Sequence, residues 1–374
     1  MFLFIPSAFL IIYAVCSGVM PLKLSYGWKI LLGILIVIAG LKYPIYTSGG
    51  GTLFAPSVSR EVMICMEAAY GALVVFVFLL ILKDISSLGV FLLRKWNVSI
   101  AFSFNKNSFL FGLMGVAMLA GVYGCWQALK VPEVREETIK IQNLPAPFKG
   151  LKVVQLSDLH IGAVQGRQWL TQIVQKVNDL RPDLVLITGD FVDGSVHRLL
   201  PEVEVLKDLK STYGTYAVPG NHEYYSGYEA WMKALRGLDI HMLENKSAVL
   251  TKDGADLVIG GTTDFGASRF KMTSPDISQT FAETPENAVR ILMTHQPKTS
   301  YRSKERFELQ LSGHTHGGHL LFLYPLIGYF NDGLVFGLYQ RGSRQIYVNR
   351  GTGLWNGFSM RLGVPSEISL ITLE

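Results

Sequence analysis

Four long apolar runs in the first 130 residues constrain the fold of this chain more than any other feature. They cover residues 1–22, 28–46, 62–82 and 109–129, and the first and last contain no charged residue. A helix needs about 20 apolar residues to cross the hydrocarbon core of a bilayer. Four such runs exceed what the core helices of a soluble protein usually show. The sequence therefore predicts an all-α region of four transmembrane spans over residues 1–130.

Charged residues around these runs indicate how the chain is oriented. The first run has no charge before it and Lys23 directly after it, and basic residues favour the cytoplasmic side of a membrane. This favours an outside N-terminus, and four spans then return the chain to the outside. We expect a multi-pass protein of the cell membrane with an extracytoplasmic C-terminal domain. Lys42 and Glu67 lie near the ends of their runs, where their side chains could reach the lipid headgroups.

The composition changes after the fourth run. Residues 131–149 contain several glutamates and two prolines, and we interpret them as a linker. Residues 150–374 are long enough for one substantial core, and short apolar segments alternate there with amphipathic ones. This alternation predicts an α/β domain with its site at the carboxyl ends of the strands. Strands are expected at 151–156, 183–188, 215–218, 257–260, 289–293, 308–311 and 345–348, and helices at 169–180 and 201–209.

Charge and cysteine content exclude several classes of site. The formal net charge is +5 and no dense Lys/Arg run is present, so nucleic acid is not an expected partner. The cysteines are Cys16, Cys65 and Cys125, all in the apolar region. A disulfide framework or a cysteine-ligated zinc site in the second domain is therefore excluded. The expected partners are the lipid bilayer and a substrate, and the sequence indicates no protein partner.

Five short blocks rich in Asp, Asn and His follow the predicted strands. They are Ser157-Asp158-Leu159-His160, Gly189-Asp190, Gly220-Asn221-His222-Glu223, His295 and Gly313-His314-Thr315-His316. Carboxylate, amide and imidazole groups without thiolate suit Mn²⁺, Fe or Zn²⁺. A carboxylate with two oxygens, such as that of Asp190, can bridge two cations. The sequence therefore predicts a site for two divalent metal ions.

The blocks resemble those of the calcineurin-like metallophosphoesterases. The pattern of that family is Asp-x-His, Gly-Asp, Gly-Asn-His-Asp/Glu, His and Gly-His-x-His, and all five blocks occur here in that order. Gly317-Gly318 and the run from Tyr347 to Gly353 resemble the membrane-associated bacterial branch of the family. The resemblance covers residues 147–374 approximately, and it implies a four-layer αββα sandwich.

The resemblance also implies roles for individual residues. One ion would be held by Asp158, His160, Asp190 and His316, and the second by Asp190, Asn221, His295 and His314. His222 matches the family histidine that approaches the substrate phosphate and assists the leaving group. A hydroxide between the metals, its pKa lowered by them, would attack phosphorus in line. Asp190 and His222 are therefore the expected catalytic residues.

Other polar residues near the blocks have less specific expectations. His319 stands where the bacterial branch usually has glutamine. Contact of His319 with the site and a position away from the site are therefore equally expected. Arg341, Arg344 or Arg350 could bind a substrate phosphate through two hydrogen bonds. Asp193 is expected to be a turn or cap residue rather than a ligand, and Glu223 to support a neighbouring loop. Asp264 is expected to form a turn, with support of the site as the alternative. His197 and His241 fit no block and are expected at the surface or in the core.

The segment 320–338 is apolar and follows directly after the metal histidines. One interpretation is a lid that faces lipid or an acyl-bearing substrate. The other, slightly favoured, is that the segment folds back as core.

Together these features predict a membrane-anchored dinuclear-metal phosphoesterase that hydrolyses a phosphodiester or pyrophosphate bond of a lipid or cell-envelope molecule. A phosphomonoesterase of the same fold is one alternative, because the metal ligands do not select the ester type. A catalytically inactive metal-binding membrane protein is another, and it predicts a missing ligand. None of the ligands that the family pattern requires is missing from the sequence.

Overall fold

The computed structural model describes residues 4–48, 51–52, 55–96, 105–301 and 303–374. The chain divides into two compact units. A helical unit contains residues 1–127 together with Gly357–Leu362. A second unit contains residues 128–356 together with 363–374, and it is called the catalytic unit after the site that the sequence predicts within it. The first boundary lies close to the one expected at residue 130. The sequence did not predict that six residues near the C-terminus group with the N-terminal helices.

The helical unit consists of five α-helices in the residues described. Helix α1 (Phe4–Tyr13) continues into a π-helical stretch (Ala14–Val19), and α2 (Tyr26–Gly40) is followed at a 59° bend by α3 (Lys42–Ser48). Helices α4 (Arg60–Lys95) and α5 (Lys106–Leu129) contain 36 and 24 residues. Within the described residues, α4 and α5 are long and apolar enough to cross a membrane, and the bent pair would count as a third span. The apolar helix at residues 4–19 is shorter, so four spans stay a prediction.

The catalytic unit contains two six-stranded sheets. The first has the order β1-β12-β2-β3-β4-β5 and the second β10-β11-β9-β8-β7-β6. The strands of the first sheet are β1 (Glu133–Ile139), β2 (Lys152–Leu156), β3 (Leu184–Ile187), β4 (Thr215–Ala217), β5 (Ile240–Met242) and β12 (Glu367–Leu373). Those of the second are β6 (Lys246–Lys252), β7 (Ala255–Gly261), β8 (Val289–Met293), β9 (Leu309–Ser312), β10 (Gly337–Arg341) and β11 (Arg344–Val348).

The sheets pack face to face and carry helices on their outer faces. Val153 and Leu186 of the first sheet share a buried cluster with Ile259 and Ile291 of the second. The other face of the first sheet is covered by α6 (Arg167–Asp179), α7 (Val196–Val203) and α9 (Tyr228–Arg236). Helix α10 (Ile277–Phe281) packs on the second sheet through Phe281. These four layers confirm the αββα prediction.

The structure differs from the predicted linker over residues 131–149. Strand β1 occupies much of its first half and pairs in parallel with β12, from Glu133 opposite Glu367 to Ile139 opposite Leu373. Charged residues are typical of an edge strand, where they prevent pairing with another chain. The glutamates that resembled a linker therefore belong to a sheet edge.

Candidate metal centre

All five blocks lie at the carboxyl ends of parallel strands. Asp158, Asp190 and Asn221 follow β2, β3 and β4 of the first sheet, and His295 and His314 follow β8 and β9 of the second. Carboxyl ends of parallel strands meet at one edge of a sheet, which is where α/β proteins bind ligands. Here the two packed sheets both contribute side chains to one cluster.

The backbone around the cluster is strained. Five predicted ligands adopt left-handed φ angles between 46° and 69°: Asp158, His160, Asp190, His314 and His316. Such a conformation costs a non-glycine residue roughly 1–3 kcal/mol and persists where the surroundings enforce it, often at functional sites. Backbone hydrogen bonds enforce it here, including those from Asp158 N to Gly189 O at 2.9 Å and from His160 N to Asp190 O at 3.0 Å.

Gly189 allows two of the ligand loops to approach each other. Its φ is +89°, and a methyl group added there would lie 2.6 Å from the backbone nitrogen of Gly220. Any larger residue would push the loop of Asp190 away from the loop of Asn221. Glycine before the predicted bridging carboxylate is therefore a steric requirement.

The first group of ligand atoms comes from Asp158, His160 and His316, which lie within 4.8 Å of one another and are buried. His316 Nε2 is 3.4 Å and His160 Nε2 is 3.9 Å from Asp158 Oδ1. The other carboxylate oxygen of Asp158 accepts hydrogen bonds from Ser157 Oγ at 2.5 Å and from the amide of His314 at 3.1 Å. Asp158 is thus oriented by its neighbours with Oδ1 toward the two imidazoles.

The second group consists of Asp190, His295 and His314. His295 Nε2 lies 3.1 Å from Asp190 Oδ2 and 3.3 Å from His314 Nδ1. The same Asp190 oxygen is 3.5 Å from His160 Nε2 of the first group. Asp190 therefore stands between the two groups, which is the position predicted for a bridging carboxylate.

Hydrogen bonds to the far side of two imidazoles direct their lone pairs into the cluster. His295 Nδ1 donates to the carbonyl oxygen of Thr188 at 2.8 Å, and His160 Nδ1 donates to Asp193 Oδ1 at 3.0 Å. In a neutral imidazole the remaining nitrogen, Nε2, is then an acceptor. Both Nε2 atoms lie near Oδ2 of Asp190. Each acceptor nitrogen therefore faces an acceptor oxygen unless a cation or a proton lies between them.

Whether metal ions fit the cluster can be judged from its buried polar atoms that have no hydrogen-bond partner. His160 Nε2 and Asn221 Oδ1 are buried and make no hydrogen bond in the described part of the chain. Such atoms are rare in native structures because losing water without a replacement is costly. A divalent cation in the first group would satisfy His160 Nε2, and a second cation that also binds Asn221, as the family pattern implies, would satisfy Asn221 Oδ1. Nitrogen and oxygen donors suit Mn²⁺, Zn²⁺ or Fe. The residues present therefore fit the two ions that the sequence predicts.

Electrostatic effects in the cluster are strong because it is buried. Burial lowers the pKa of His295, but Asp190 and Asp158 outweigh burial and hold that pKa well above its usual range. Burial and the neighbouring His295 lower the pKa of His314 to about 3. The carboxylates thus require positive charge beside them, from protons or from metal ions.

Asp193 has a role that the sequence interpretation missed. Its Oδ1 accepts hydrogen bonds from Nδ1 of both His160 and His222, at 3.0 and 2.5 Å. Its Oδ2 accepts from the backbone and side-chain nitrogens of Asn356, at 3.3 and 3.1 Å. Asp193 therefore orients two functional imidazoles at once. Its position three residues after Asp190 was the available signal.

Glu223 ties together the loops of Asp190 and Asn221. Its carboxylate accepts from the backbone nitrogens of Asp190, Phe191 and Gly220 at 2.7–3.0 Å. Burial and the nearby Asp190 raise the pKa of Glu223 to about 7. The predicted supporting role for a neighbouring loop agrees with these contacts.

His222 lies at the start of the short helix α8 (Asn221–Ser226) beside the second group. Its backbone nitrogen donates to Asp190 Oδ1 at 2.8 Å, and its Nε2 lies 4.0 Å from Asp190 Oδ2. Burial lowers the pKa of His222, but Asp190 and Asp193 outweigh burial and raise it to about 9. The two carboxylates therefore favour the protonated imidazole.

Comparison with known proteins decides the family. The sequence model described as calcineurin-like phosphoesterase matches residues 151–318. The metallophosphoesterase YkuE of Bacillus subtilis strain 168 is 30% identical over 287 residues, which cover 72% of this chain and 98% of the relative. This chain belongs to the calcineurin-like metallophosphoesterase family. It therefore has the fold of a metal-dependent phosphoester hydrolase.

Two further metallophosphoesterase relatives are longer than the matched region. A metallophosphoesterase of Helicobacter pylori strain J99 is 36% identical over 67% of this chain and 66% of the relative. A transmembrane protein with a metallophosphoesterase domain from Danio rerio is 35% identical over 70% of this chain and 62% of the relative. The match thus spans less than two thirds of the length of these two proteins.

The remaining polar residues near this metallophosphoesterase site have defined contacts. The ring of His319 stacks on that of His316 with centroids 4.9 Å apart, so His319 contacts a predicted ligand. Asp264 accepts from Gly266 N at 2.6 Å and from Gln296 Nε2 at 3.1 Å, which agrees with its predicted turn role. His197 and His241 are exposed.

The three candidate arginines bond within the catalytic unit. Arg341 and Arg344 donate to the backbone oxygens of Asp332 and Glu305 at 2.9 and 2.6 Å. Arg350 Nε lies 3.5 Å from Glu367 Oε2. A phosphate-binding role for any of them stays a prediction.

Part of the apolar segment 320–338 is buried as core and part is exposed, as a lid would be. Leu320, Leu334 and Val335 are buried, in agreement with a core role for the ends of the segment. Between them lies the short helix α11 (Tyr324–Phe330), where Tyr329 and Phe330 are 82% and 61% exposed. An exposed aromatic helix therefore lies a few residues after the predicted ligand His316.

Proposed function

We propose that this protein hydrolyses a phosphodiester or pyrophosphate bond in a lipid or cell-envelope molecule, from a catalytic domain anchored by apolar helices to the membrane. The observation that carries the reaction type is the convergence of six predicted ligands in two groups, together with the buried, unpaired His160 Nε2 and Asn221 Oδ1. Family membership supports this chemistry. The domain is proposed to lie on the extracytoplasmic side, as the charge pattern predicts.

The ligand residues would hold two divalent ions in the two groups. Asp158, His160 and His316 would hold one, His295, His314 and Asn221 the other, and Asp190 lies between them. When bound, such ions supply Lewis acidity toward phosphoryl oxygens and a water-derived nucleophile of lowered pKa.

His222 would act on the leaving group. Its imidazole is oriented by Asp193 and lies beside Asp190, so it is close to both groups of predicted ligands. When protonated, a histidine in this position can donate a proton to the departing oxygen, a contribution of typically 10²–10⁴-fold in rate. Glu223 holds the loops of Asp190 and Asn221 together during turnover through its three backbone hydrogen bonds.

The class of substrate is suggested by helix α11. Leu326, Tyr329 and Phe330 expose more than half of their surface, and Tyr and Phe are favoured at the membrane–water interface. Only three residues separate the end of α5 at Leu129 from the start of β1 at Glu133. A short connection keeps the catalytic domain near the bilayer if α5 spans it. A phosphoester at the headgroup level would suit this arrangement.

The test uses full-length protein in detergent, supplied with Mn²⁺. Turnover is measured for a chromogenic bis-aryl phosphodiester, its monoester and phospholipid vesicles. The proposal expects metal-dependent cleavage of the diester in preference to the monoester, together with release of phosphate-bearing product from the vesicles. Faster monoester turnover would support the phosphomonoesterase instead. Two bound ions without turnover of any substrate would support the inactive metal-binding protein.

A further inference from the structure

Lys42 and Glu67 are the basic and acidic partners of a fully buried ion pair in the helical unit. The sequence predicted that both would reach the lipid headgroups, but both side chains have no exposed surface and Lys42 Nζ lies 3.1 Å from Glu67 Oε2. Burying two charges is costly, and replacing a buried pair by apolar residues is often neutral or stabilising. Such a pair within apolar helices therefore points to a role beyond stability.

The pair binds the segment Gly357–Leu362, which belongs to the same unit. Lys42 Nζ donates to the carbonyl oxygen of Gly357 at 2.6 Å, and Tyr43 Oη donates to the same oxygen at 3.0 Å. Glu67 Oε2 accepts from the backbone nitrogen of Ser359 at 2.7 Å. Each member of the ion pair thus holds one backbone group of the segment.

Aromatic side chains enclose these bonds. Lys42 Nζ lies 4.3 Å from the ring centre of Tyr70 and 4.6 Å from that of Tyr43, and Tyr46 Oη donates to Glu67 Oε1 at 2.8 Å. Further along the segment, Met360 packs so closely that a methyl group added at Gly124 would lie 2.7 Å from its Cε. Because water is excluded, the hydrogen bonds to Gly357 and Ser359 are strong and hold the segment in one position.

The two residues immediately before this segment belong to the catalytic unit and contact the positioning groups of its site. Asn356 donates to Asp193 through both its backbone and its side chain. The ring of Trp355 lies edge-on to that of His222, with centroids 6.1 Å apart. Asp193 in turn bonds both His160 and His222.

We propose that Lys42 and Glu67 are positioning residues for the metallophosphoesterase reaction. They hold Gly357 and Ser359, and through the adjoining chain they set the positions of Asn356 and Trp355, which orient Asp193 and His222. The effect on turnover rests on the proposed hydrolase function, whereas the ordering of residues 355–359 does not. Detachment of the segment would lower turnover without removing any group of the site.

The test uses full-length protein in detergent and the variants Glu67→Gln and Lys42→Met. Lys42→Met removes the bond to Gly357, and Glu67→Gln removes the charge that strengthens the bond from Ser359. We expect turnover of the soluble phosphodiester to fall about 10- to 100-fold, as for residues that orient metal ligands. Hydrogen exchange measured by mass spectrometry should become faster in the peptide that covers residues 355–360. Exchange is independent of turnover, so it tests the proposal even if the enzyme acts on none of the substrates.

Two further variants separate positioning from stability. Asp84→Asn removes another acid from α4, one that bonds Tyr13 and Ser17, and it should leave turnover and exchange at 355–360 unchanged. The double variant Lys42→Met/Glu67→Met replaces the pair by apolar residues, which should restore thermal stability. Its turnover should stay low, because Gly357 still lacks the bond from Lys42 and Ser359 still lacks the bond to Glu67.

Two results would overturn the proposal. One is recovery of turnover in the double variant together with its stability, which would make the pair a purely structural element. The other is unchanged exchange at residues 355–360 in Glu67→Gln and Lys42→Met, which would show that the pair does not hold the segment. Restoration of turnover by Lys42→Arg, which keeps a donor and the charge, would support it.

Discussion

Among the described residues, the buried charged cluster of the helical unit and that of the catalytic unit differ in how completely their polar atoms are paired. In the helical unit, Lys42 and Glu67 bond each other and three further groups, so both charges are satisfied by the chain itself. In the catalytic unit, His160 Nε2 and Asn221 Oδ1 have no hydrogen-bond partner among the described residues. A satisfied cluster can hold a structure in place, whereas an unsatisfied one requires a ligand.

The backbone conformations differ in the same way. Five predicted ligands in the catalytic unit adopt left-handed φ angles, while no residue of the described helical unit with a side chain does so. Strain that is maintained by surrounding hydrogen bonds is typical of groups held ready for a ligand. We therefore expect the cluster of the catalytic unit to perform the chemistry and the cluster of the helical unit to position it. The following variants test this difference in order of expected effect.

Asp190→Asn should have the largest effect on metal binding and turnover in the cluster of the catalytic unit. It removes a negative charge from the carboxylate that lies between the two ligand groups, so at least one ion should be lost and turnover should fall roughly 10⁴-fold. Bound metal is measured by elemental analysis and turnover with the soluble phosphodiester. Asp239→Asn is a matched control, because Asp239 is also a left-handed aspartate but is exposed and outside the cluster.

His222→Ala should separate leaving-group assistance from metal binding. We expect turnover to fall on the order of 100- to 1000-fold, as for loss of a general acid, with the metal content unchanged. The comparison variant is His241→Ala, which alters an exposed histidine stacked on Tyr216. A parallel loss of metal in His222→Ala would contradict the assignment and make His222 a ligand.

Asp193→Asn should weaken the orientation of His160 and His222 together. An amide keeps the size of the side chain but loses the charge that holds two imidazoles, so we expect metal affinity or turnover to fall about 10- to 100-fold. Titration of metal-stripped protein with Mn²⁺ measures the change. Asp256→Asn, at a residue that accepts only a hydroxyl hydrogen bond from Thr251 in the described structure, should have no effect. Equal affinities for the wild type and Asp193→Asn would show that Asp193 is a turn residue only.

The exposed helix α11 should affect the rate of cleavage only when the substrate lies in a membrane. Replacing Leu326, Tyr329 and Phe330 by Ser removes apolar surface that could enter the headgroup region, so cleavage of lipid in vesicles should fall at least about 10-fold. Cleavage of the soluble phosphodiester should not change. Val249→Ser/Tyr301→Ser alters exposed apolar residues elsewhere in the same unit. If this control lowers vesicle cleavage as much as the α11 variant, helix α11 has no specific role.

Sequence alone predicted the ligand loops because their chemistry is local. Asp158 and Asp190 follow short, mainly apolar segments that form β2 and β3, and the family pattern placed the histidines after β8 and β9. Buried parallel strands read as continuous apolar runs, so their ends were visible. Strand β1 was not visible in the sequence, because its charged composition is also that of a linker.

The contacts that the sequence did not reveal join residues far apart in the chain. Asp193 is 33 residues from His160 and 163 from Asn356, and Lys42 is 315 from Gly357. Helical and strand periodicities describe neighbours within one element, so no pattern in the sequence marks such pairs. The structure also showed that Lys42 and Glu67 neutralise each other rather than extending to headgroups.

The central claim is that the unsatisfied cluster is a two-metal site, and a count of bound ions tests it most directly. Metal-stripped full-length protein is titrated with Mn²⁺ while bound metal and electron paramagnetic resonance spectra are recorded. The claim predicts two ions per chain with a spectrum of magnetically coupled Mn²⁺, because two-metal sites hold their ions about 3.5–4 Å apart. Binding of fewer than two ions, or two ions without magnetic coupling, would contradict it.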